Sequence, residues 1–204
     1  MQSEQILNMN SIYCAPEGEG IFVGTPQIFV RFQGCAIGCR NCDSVDTWDF
    51  NSGEDWTVDS LCTRLREMGQ GKIKRISITG GDPLHPKISP GVLSLARELK
   101  ARGYEVHLEA SGMRLVHEIF DIIDFISIDL KTPSTGVRTP LKNLREMAVH
   151  YPGKFQVKAV VENEEDFRAC LRAREQLQSQ LEKLVFTWCL TPAYNLGEAF
   201  PRER

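Results

Sequence analysis

The chain has 204 residues, 42% hydrophobic and 25% charged, the balance of a globular protein with a single core and not of a disordered or fibrous one. A formal net charge of −3 argues against a broad nucleic-acid footprint, and no apolar run reaches the roughly 20 residues of a membrane helix. The opening Met1-Gln2-Ser3-Glu4-Gln5 lacks the basic start and apolar core of a signal peptide, so a cytoplasmic protein with no nucleic-acid or membrane partner is expected.

Residues 10–26 hold Pro16-Glu17-Gly18-Glu19-Gly20 and Gly24-Thr25-Pro26, too many turn formers for a helix. A short strand, a loop and a return into the next strand are expected there. Gln27 to Phe32 reads as that strand, short, rich in β-branched and aromatic residues and bounded by turns. From Val58, the positions Leu61, Cys62, Leu65 and Met68 follow helical spacing with Thr57 as cap. A second strand runs from Arg75 to Thr79. Ser89-Pro90 opens a helix as cap and first-turn proline, and Gly103 closes it. Strands follow at Tyr104 to Leu108, Phe125 to Leu130 and Phe155 to Val161. Asn163 and Asp166 begin a helix with Phe167, Cys170, Leu171, Leu177 and Leu181 as its apolar face, and Leu184 to Leu190 reads as the last strand.

Strands alternating with helices make βαβ units and a parallel sheet. The expected fold is α/β, a partial (β/α)6-type barrel forming one domain over 1–204. It divides into an N-terminal loop or hairpin extension (1–26), the barrel (27–190) and a short C-terminal tail (191–204). An open doubly wound sheet is the other arrangement these elements allow. In both, the chemistry sits at the carboxyl ends of the strands.

That is where the cysteines fall. Three of the seven stand as Cys35-x3-Cys39-x2-Cys42, just past the first parallel strand, and thiolates are soft ligands for iron–sulfur clusters or zinc. A structural zinc needs four ligands, usually as two separated pairs, and no second pair exists. Three thiolates on a [4Fe–4S] cubane leave one iron open to chelation. A zinc knuckle borrowing a fourth ligand, or reduced cysteines without metal, are the bland readings. Cys62 and Cys170 sit at helical core positions as small apolar residues, with Cys189 also on an apolar face and Cys14 alone. After the second parallel strand, Thr79-Gly80-Gly81-Asp82-Pro83 offers paired glycines where a ligand can approach the backbone closely. Arg31, in an otherwise apolar strand, asks for an anionic partner. His85, His107, His117 and His150 lack ligand spacing and receive no role.

Together the cysteine loop and the glycine pair resemble the radical S-adenosylmethionine superfamily. There the cofactor's methionine end chelates the open iron and the glycine strand, usually Gly-Gly-Glu-Pro, contacts its amine. Glu17-Gly18-Glu19-Gly20, Gly24-Thr25-Pro26, Phe29-Val30-Arg31 and Cys42-Asp43-Ser44 further resemble the 7-carboxy-7-deazaguanine synthase family of queuosine biosynthesis, from about residue 10 to 161. Glu17 stands where that family usually has glutamine. The sequence also ends soon after Leu190-Thr191-Pro192-Ala193-Tyr194-Asn195, where the family commonly continues into a tail that helps close the site.

The resemblance implies a lyase with a [4Fe–4S] cluster on Cys35, Cys39 and Cys42, S-adenosylmethionine, and Mg2+ on Ser44. It implies cofactor contacts from Gly80, Gly81, Asp82, Glu109, Ser111, Asp129 and Lys131, and substrate contacts from Glu17, Glu19, Arg31 and Thr79. The implied reaction contracts the ring of 6-carboxy-5,6,7,8-tetrahydropterin, with hydrogen abstraction at carbon 6 and loss of ammonia. An electron donor such as flavodoxin or ferredoxin and a homodimer are implied with it. Two bland readings stand beside these roles: Glu109 and Ser111 as loop caps, and Lys131 and Lys158 as strand-end lysines reaching solvent. A glycyl-radical-enzyme activase shares the cysteine spacing, and Asp129-Leu130-Lys131 is reminiscent of it. A zinc-bearing interaction module is the reading from another class.

Overall fold

The computed structural model describes residues 5–194, so part of the expected extension (1–4) and most of the expected tail (195–204) lie outside the described residues. The core is one eight-stranded sheet with spatial order β3-β1-β2-β4-β5-β6-β7-β8. Its parallel strands are β2 (Pro26–Phe32), β4 (Arg75–Gly80), β5 (Glu105–Ala110), β6 (Phe125–Asp129), β7 (Phe155–Val161) and β8 (Thr187–Pro192). They lie side by side in chain order, with no reversal of direction along the sheet. A doubly wound sheet needs such a reversal to place helices on both faces. Without one, right-handed crossovers put every helix on the same side, and the sheet is an open partial barrel. β1 (Ile6–Pro16) and β3 (Glu54–Thr57) add an antiparallel edge.

Period-two alternation explains the layers. Ile28, Val30, Phe32, Ile76, Ile78, Val106, Leu108, Ile126, Ile128, Phe155 and Val157 are buried beneath α1 (Val58–Gly69), α2 (Ser89–Ala101), α3 (His117–Phe120), α4 (Leu141–His150) and α5 (Glu164–Gln180). The alternate positions turn to the concave side, and most of them are polar, among them Gln27, Arg31, Ser77, Thr79, Glu109, Ser127, Asp129, Gln156 and Lys158. A barrel interior built of such groups binds something polar.

Local signals hold well at several termini. Thr57 caps α1 in a reciprocal capping box with Ser60, and Asn163 caps α5 by accepting from the Asp166 amide. Other expectations need correcting. Ser89 is the first residue of α2 and Ile88 the cap position, with no side-chain cap bond. The α5 core face is Asp166, Cys170, Ala173 and Leu177, while Phe167 and Leu171 are 43% and 41% exposed. Asp166, fully buried, accepts from the Ser134 and Glu162 amides and the Ser134 hydroxyl, tying the helix start to two loops. β8 begins three residues later than expected, and the strand before the first turn runs the full length of β1. β3, α3 and α4 carry no signal that the sequence reading picked out. Cys62 and Cys170 are core residues as expected, but Cys189 faces the concave side, beside the Gln156 amide oxygen.

The turn between β1 and β2 crosses the concave side near the amino ends of the strands. Phe22 packs against His107 and Phe125 and beneath the Arg75 guanidinium. The Ile21 amide donates to Gln156 Oε1 over 2.9 Å. Gly20 has φ +72°, and a Cβ there would run into the Gln156 side chain, so glycine is required for the turn to seat.

Candidate active site

Residues 33–48 leave the carboxyl end of β2 as a loop that brings Cys35, Cys39 and Cys42 to one cavity. The same cavity is walled by Thr79, Gly80 and Gly81 from the end of β4, Glu109 and Ser111 from β5, and Asp129 and Lys131 from β6. Four strand ends converge because sequential strands of one parallel sheet all finish on the same rim. The glycine pair has a cause beyond ligand access. A Cβ on Gly81 would lie 2.5 Å from the Gly34 carbonyl oxygen and 2.6 Å from Cys35 Cβ, and the Asp82 amide donates to that carbonyl at 3.0 Å. Glycine lets the cysteine loop rest on the β4 turn.

The three thiols fit a cluster. None is in a disulfide, all open on the shared cavity, and Cys42 acts electrostatically on both Cys35 and Cys39. Burial, foremost, raises both thiols above their ordinary range, so a bound metal is what would hold them as thiolates. Among the described residues no three His, Cys, Asp or Glu side chains converge to hold a single ion. A cubane asks for no such convergence, since its thiolates stand on separate irons.

Beside the cysteines, Arg31 projects from β2 in register with Thr79. Its Nη1 donates to Ser44 Oγ at 3.2 Å and to the Gly80 carbonyl at 3.3 Å, and its Nη2 to the Tyr13 hydroxyl at 3.3 Å. These acceptors are neutral, and no carboxylate among the described residues pairs with it. Ser44 in turn donates to Asp43 Oδ1 at 2.8 Å. A half-buried guanidinium with only neutral partners is an anion site in waiting.

The other pole is Lys158, central on β7. Its Nζ lies 2.6 Å from Glu19, 2.9 Å from Glu109 and 3.7 Å from Asp129, with the side chain only 11% exposed. Asp129 also pairs with Lys131 at 2.8 Å. The reading of Lys158 as a strand-end lysine reaching solvent is therefore corrected. Its position in register with Asp129 turns it into the barrel, where three carboxylates hold it. Sequence offered one signal, the alternation Gln156-Val157-Lys158, which puts both polar residues on one face. Lys131 likewise stays in the site. Burial would lower the Lys158 pKa, but Asp129, Glu109 and Glu19 outweigh it and hold the ammonium charged. Burial would raise Asp129, but Lys131 and Lys158 together keep it below its usual value. Glu109 goes the other way. Burial, with the Asp129 charge adding to it, outweighs Lys158 and lifts its carboxyl to about 7.

The structure thus brings most of the predicted residues together and sets two apart. Ser44, Arg31 and Glu19 join the cavity wall through Gly80 and Lys158. Glu17 turns back on its own loop, its carboxylate accepting from the Gly18 and Glu19 amides and the Gln27 amide group. Asp82, fully buried, pairs with Arg114 at 2.6 Å and not with the cavity. Burial raises its pKa despite that partner. Of the remaining histidines, His107 packs among Glu105, Phe22 and Phe125, and His117 bonds Tyr151 and Glu146.

A family profile described as a 4Fe-4S single cluster domain matches residues 17–131, the stretch that contains the cysteine loop and the ends of β4, β5 and β6. A 7-carboxy-7-deazaguanine synthase of Chlorobaculum tepidum is 33% identical over 169 residues, 82% of this chain and 72% of its own length. That of Pyrobaculum aerophilum is 34% identical over 63% of this chain, which spans only 57% of that relative. The crystal structure of QueE from Escherichia coli superposes with a TM-score of 0.55 at 17% identity, covering 91% of this chain and 94% of that one. Streptococcus suis SuiB bound to S-adenosylmethionine has the same fold at TM-score 0.51 and 15% identity, over 81% of this chain and 38% of that one. The cluster-domain match spans the site and one-third identity is held over most of both chains, so this chain belongs to the 7-carboxy-7-deazaguanine synthase family.

Proposed function

We propose that this chain converts 6-carboxy-5,6,7,8-tetrahydropterin to 7-carboxy-7-deazaguanine, releasing ammonia. The observation that carries the substrate reading is Arg31, a guanidinium at the cavity rim with only neutral partners, one hydrogen bond from the cysteine loop at Ser44. It takes the substrate carboxylate, with Mg2+ held by Ser44 on the same group. Thr79, in register beside Arg31, contacts the ring, and Glu19 reaches its polar edge from Lys158. Glu109, Ser111, Asp129 and Lys131 hold the cofactor's polar groups, and the acidic pair suits a sulfonium cation. The Gly80-Gly81 backbone receives its amine, with the Asp82 side chain left to Arg114. Cys35, Cys39 and Cys42 would hold the cluster, which together with bound S-adenosylmethionine would supply the radical chemistry. The chain's own task is to fix the pterin against that cofactor and exclude water, which is how a protein directs cofactor chemistry.

Among the described residues no helix is long and apolar enough to cross a membrane. The reading includes a cytoplasmic location and an electron donor such as flavodoxin or ferredoxin. The homodimer belongs to this reading as well.

The test is anaerobic reconstitution with iron and sulfide, then turnover with S-adenosylmethionine, Mg2+, reductant and the carboxypterin. The expected product is the deazapurine acid. Cofactor cleavage without it would point to another radical enzyme, such as an activase acting on a protein glycine. A Cys35→Ala, Cys39→Ala, Cys42→Ala triple variant should lose visible absorbance, iron and cofactor cleavage together. Full activity in that variant would end the cluster reading.

A further inference from the structure

Trp48 stands out among the tryptophans. Trp56 and Trp188 pack against the core, whereas Trp48 is 39% exposed and lines the cavity beside Cys42, Asp43 and Thr79. Its ring stacks on no other aromatic ring among the described residues, and its indole N–H has no acceptor there. The backbone that carries it is nonetheless firmly held. Gln33, 3% exposed, donates from its amide to the Asp46 carbonyl at 2.9 Å and the Asp49 carbonyl at 2.7 Å, on either side of Trp48. Asn10 fixes that amide by donating to Gln33 Oε1 at 3.0 Å. Thr47, fully buried, bonds the Ser44 carbonyl with its hydroxyl at 2.6 Å, and its own carbonyl accepts the Gly34 amide at 2.8 Å. A large aromatic face on a rigid turn, left uncovered in a cavity wall, is a preformed platform for a flat ring.

We propose that Trp48 stacks on the bicyclic ring of the pterin. This rests on the function proposed above. The placement favours the substrate over the cofactor's adenine, because the turn that carries Trp48 is bonded through Thr47 to the Ser44 carbonyl, and Ser44 is the residue whose hydroxyl accepts from Arg31. Arg31 and Ser44 fix the carboxylate at one edge, and the indole face sets the plane in which the ring lies. Trp48 is a substrate-binding residue.

Trp48→Leu keeps an apolar side chain and removes the π face; Trp48→Phe keeps a face. Both are measured in the reconstituted holoenzyme, with visible absorbance and Tm as checks of cluster and fold. Loss of one ring stack is expected to raise KM for the carboxypterin roughly tenfold in Trp48→Leu, with KM for S-adenosylmethionine unchanged and Trp48→Phe close to wild type. The proposal is overturned by an unchanged pterin KM, by a rise confined to the cofactor's KM, or by a Phe variant as impaired as the Leu one. Wild-type protein that cleaves the cofactor yet makes no deazapurine sinks the substrate reading itself, a distinct outcome that removes this assignment with it.

Discussion

Arg31 and Glu109 show how the same concave face sets opposite charges to different tasks. Arg31 meets only the Ser44 hydroxyl, the Gly80 carbonyl and the Tyr13 hydroxyl, so its charge is available to a ligand. Truncation to Ala should raise the carboxypterin KM by about 10- to 100-fold, the value of a charge-assisted pair. Lys, which keeps the charge but not the fork, should recover part of that. Steady-state kinetics at fixed cofactor concentration decides it. Glu109 carries a pH dependence. Its carboxyl titrates near 7 in the fold against 4.5 ordinarily, so folding takes up a proton in that window, and its contribution to stability falls as pH rises from about 4.5 to 7. Function runs the other way. Only the carboxylate accepts hydrogen bonds through both oxygens, so the cofactor KM should rise as pH drops below about 7, and Glu109→Gln should flatten that profile. The groups facing Glu109 are Lys158, Asp129 and Glu17.

At the scale of elements, local chemistry set the ends of helices and long-range packing chose their faces. The Thr57–Ser60 box was readable because a cap acts within one turn. Thr57→Ala should cost about 1 kcal/mol, a fall in Tm of about 2–4 °C for a chain of this size, readable by calorimetry. Phe167 and Leu171 looked like core positions of α5 by residue type alone. The helix instead buries Asp166, because the carboxylate satisfies two loop amides and a hydroxyl that would otherwise lie buried and unpaired. No count of apolar residues along a helix contains that information.

Across the whole molecule, Lys158 joins the turn between β1 and β2, through Glu19, to the ends of β5 and β6, through Glu109 and Asp129. Lys158→Met would leave three carboxylates without their common partner, and a loss of about 3–5 kcal/mol is expected from breaking a buried charge cluster. Adding Glu109→Gln should restore part of it. Denaturant titration of the single and double variants tests the hub, which is not electrostatic if the second substitution changes nothing.

The sequence by itself determined the βα alternation, the cysteine loop at a strand end, the glycine pair one unit later and the cationic Arg31 on the strand that leads into the cysteines. Each is a local pattern, and motif spacing survives whatever the rest of the chain does. Tertiary structure alone decided that six parallel strands keep chain order, so the helices share one side, and that β8 does not pair back across the sheet, so the barrel stays open. It also decided that Glu17 serves its own loop and Asp82 pairs with Arg114 while Lys158 enters the site, and that Trp48 stands part-exposed in the cavity wall. A side chain's partners depend on register across strands distant in sequence. One residue of shift would have turned Lys158 to the opposite face.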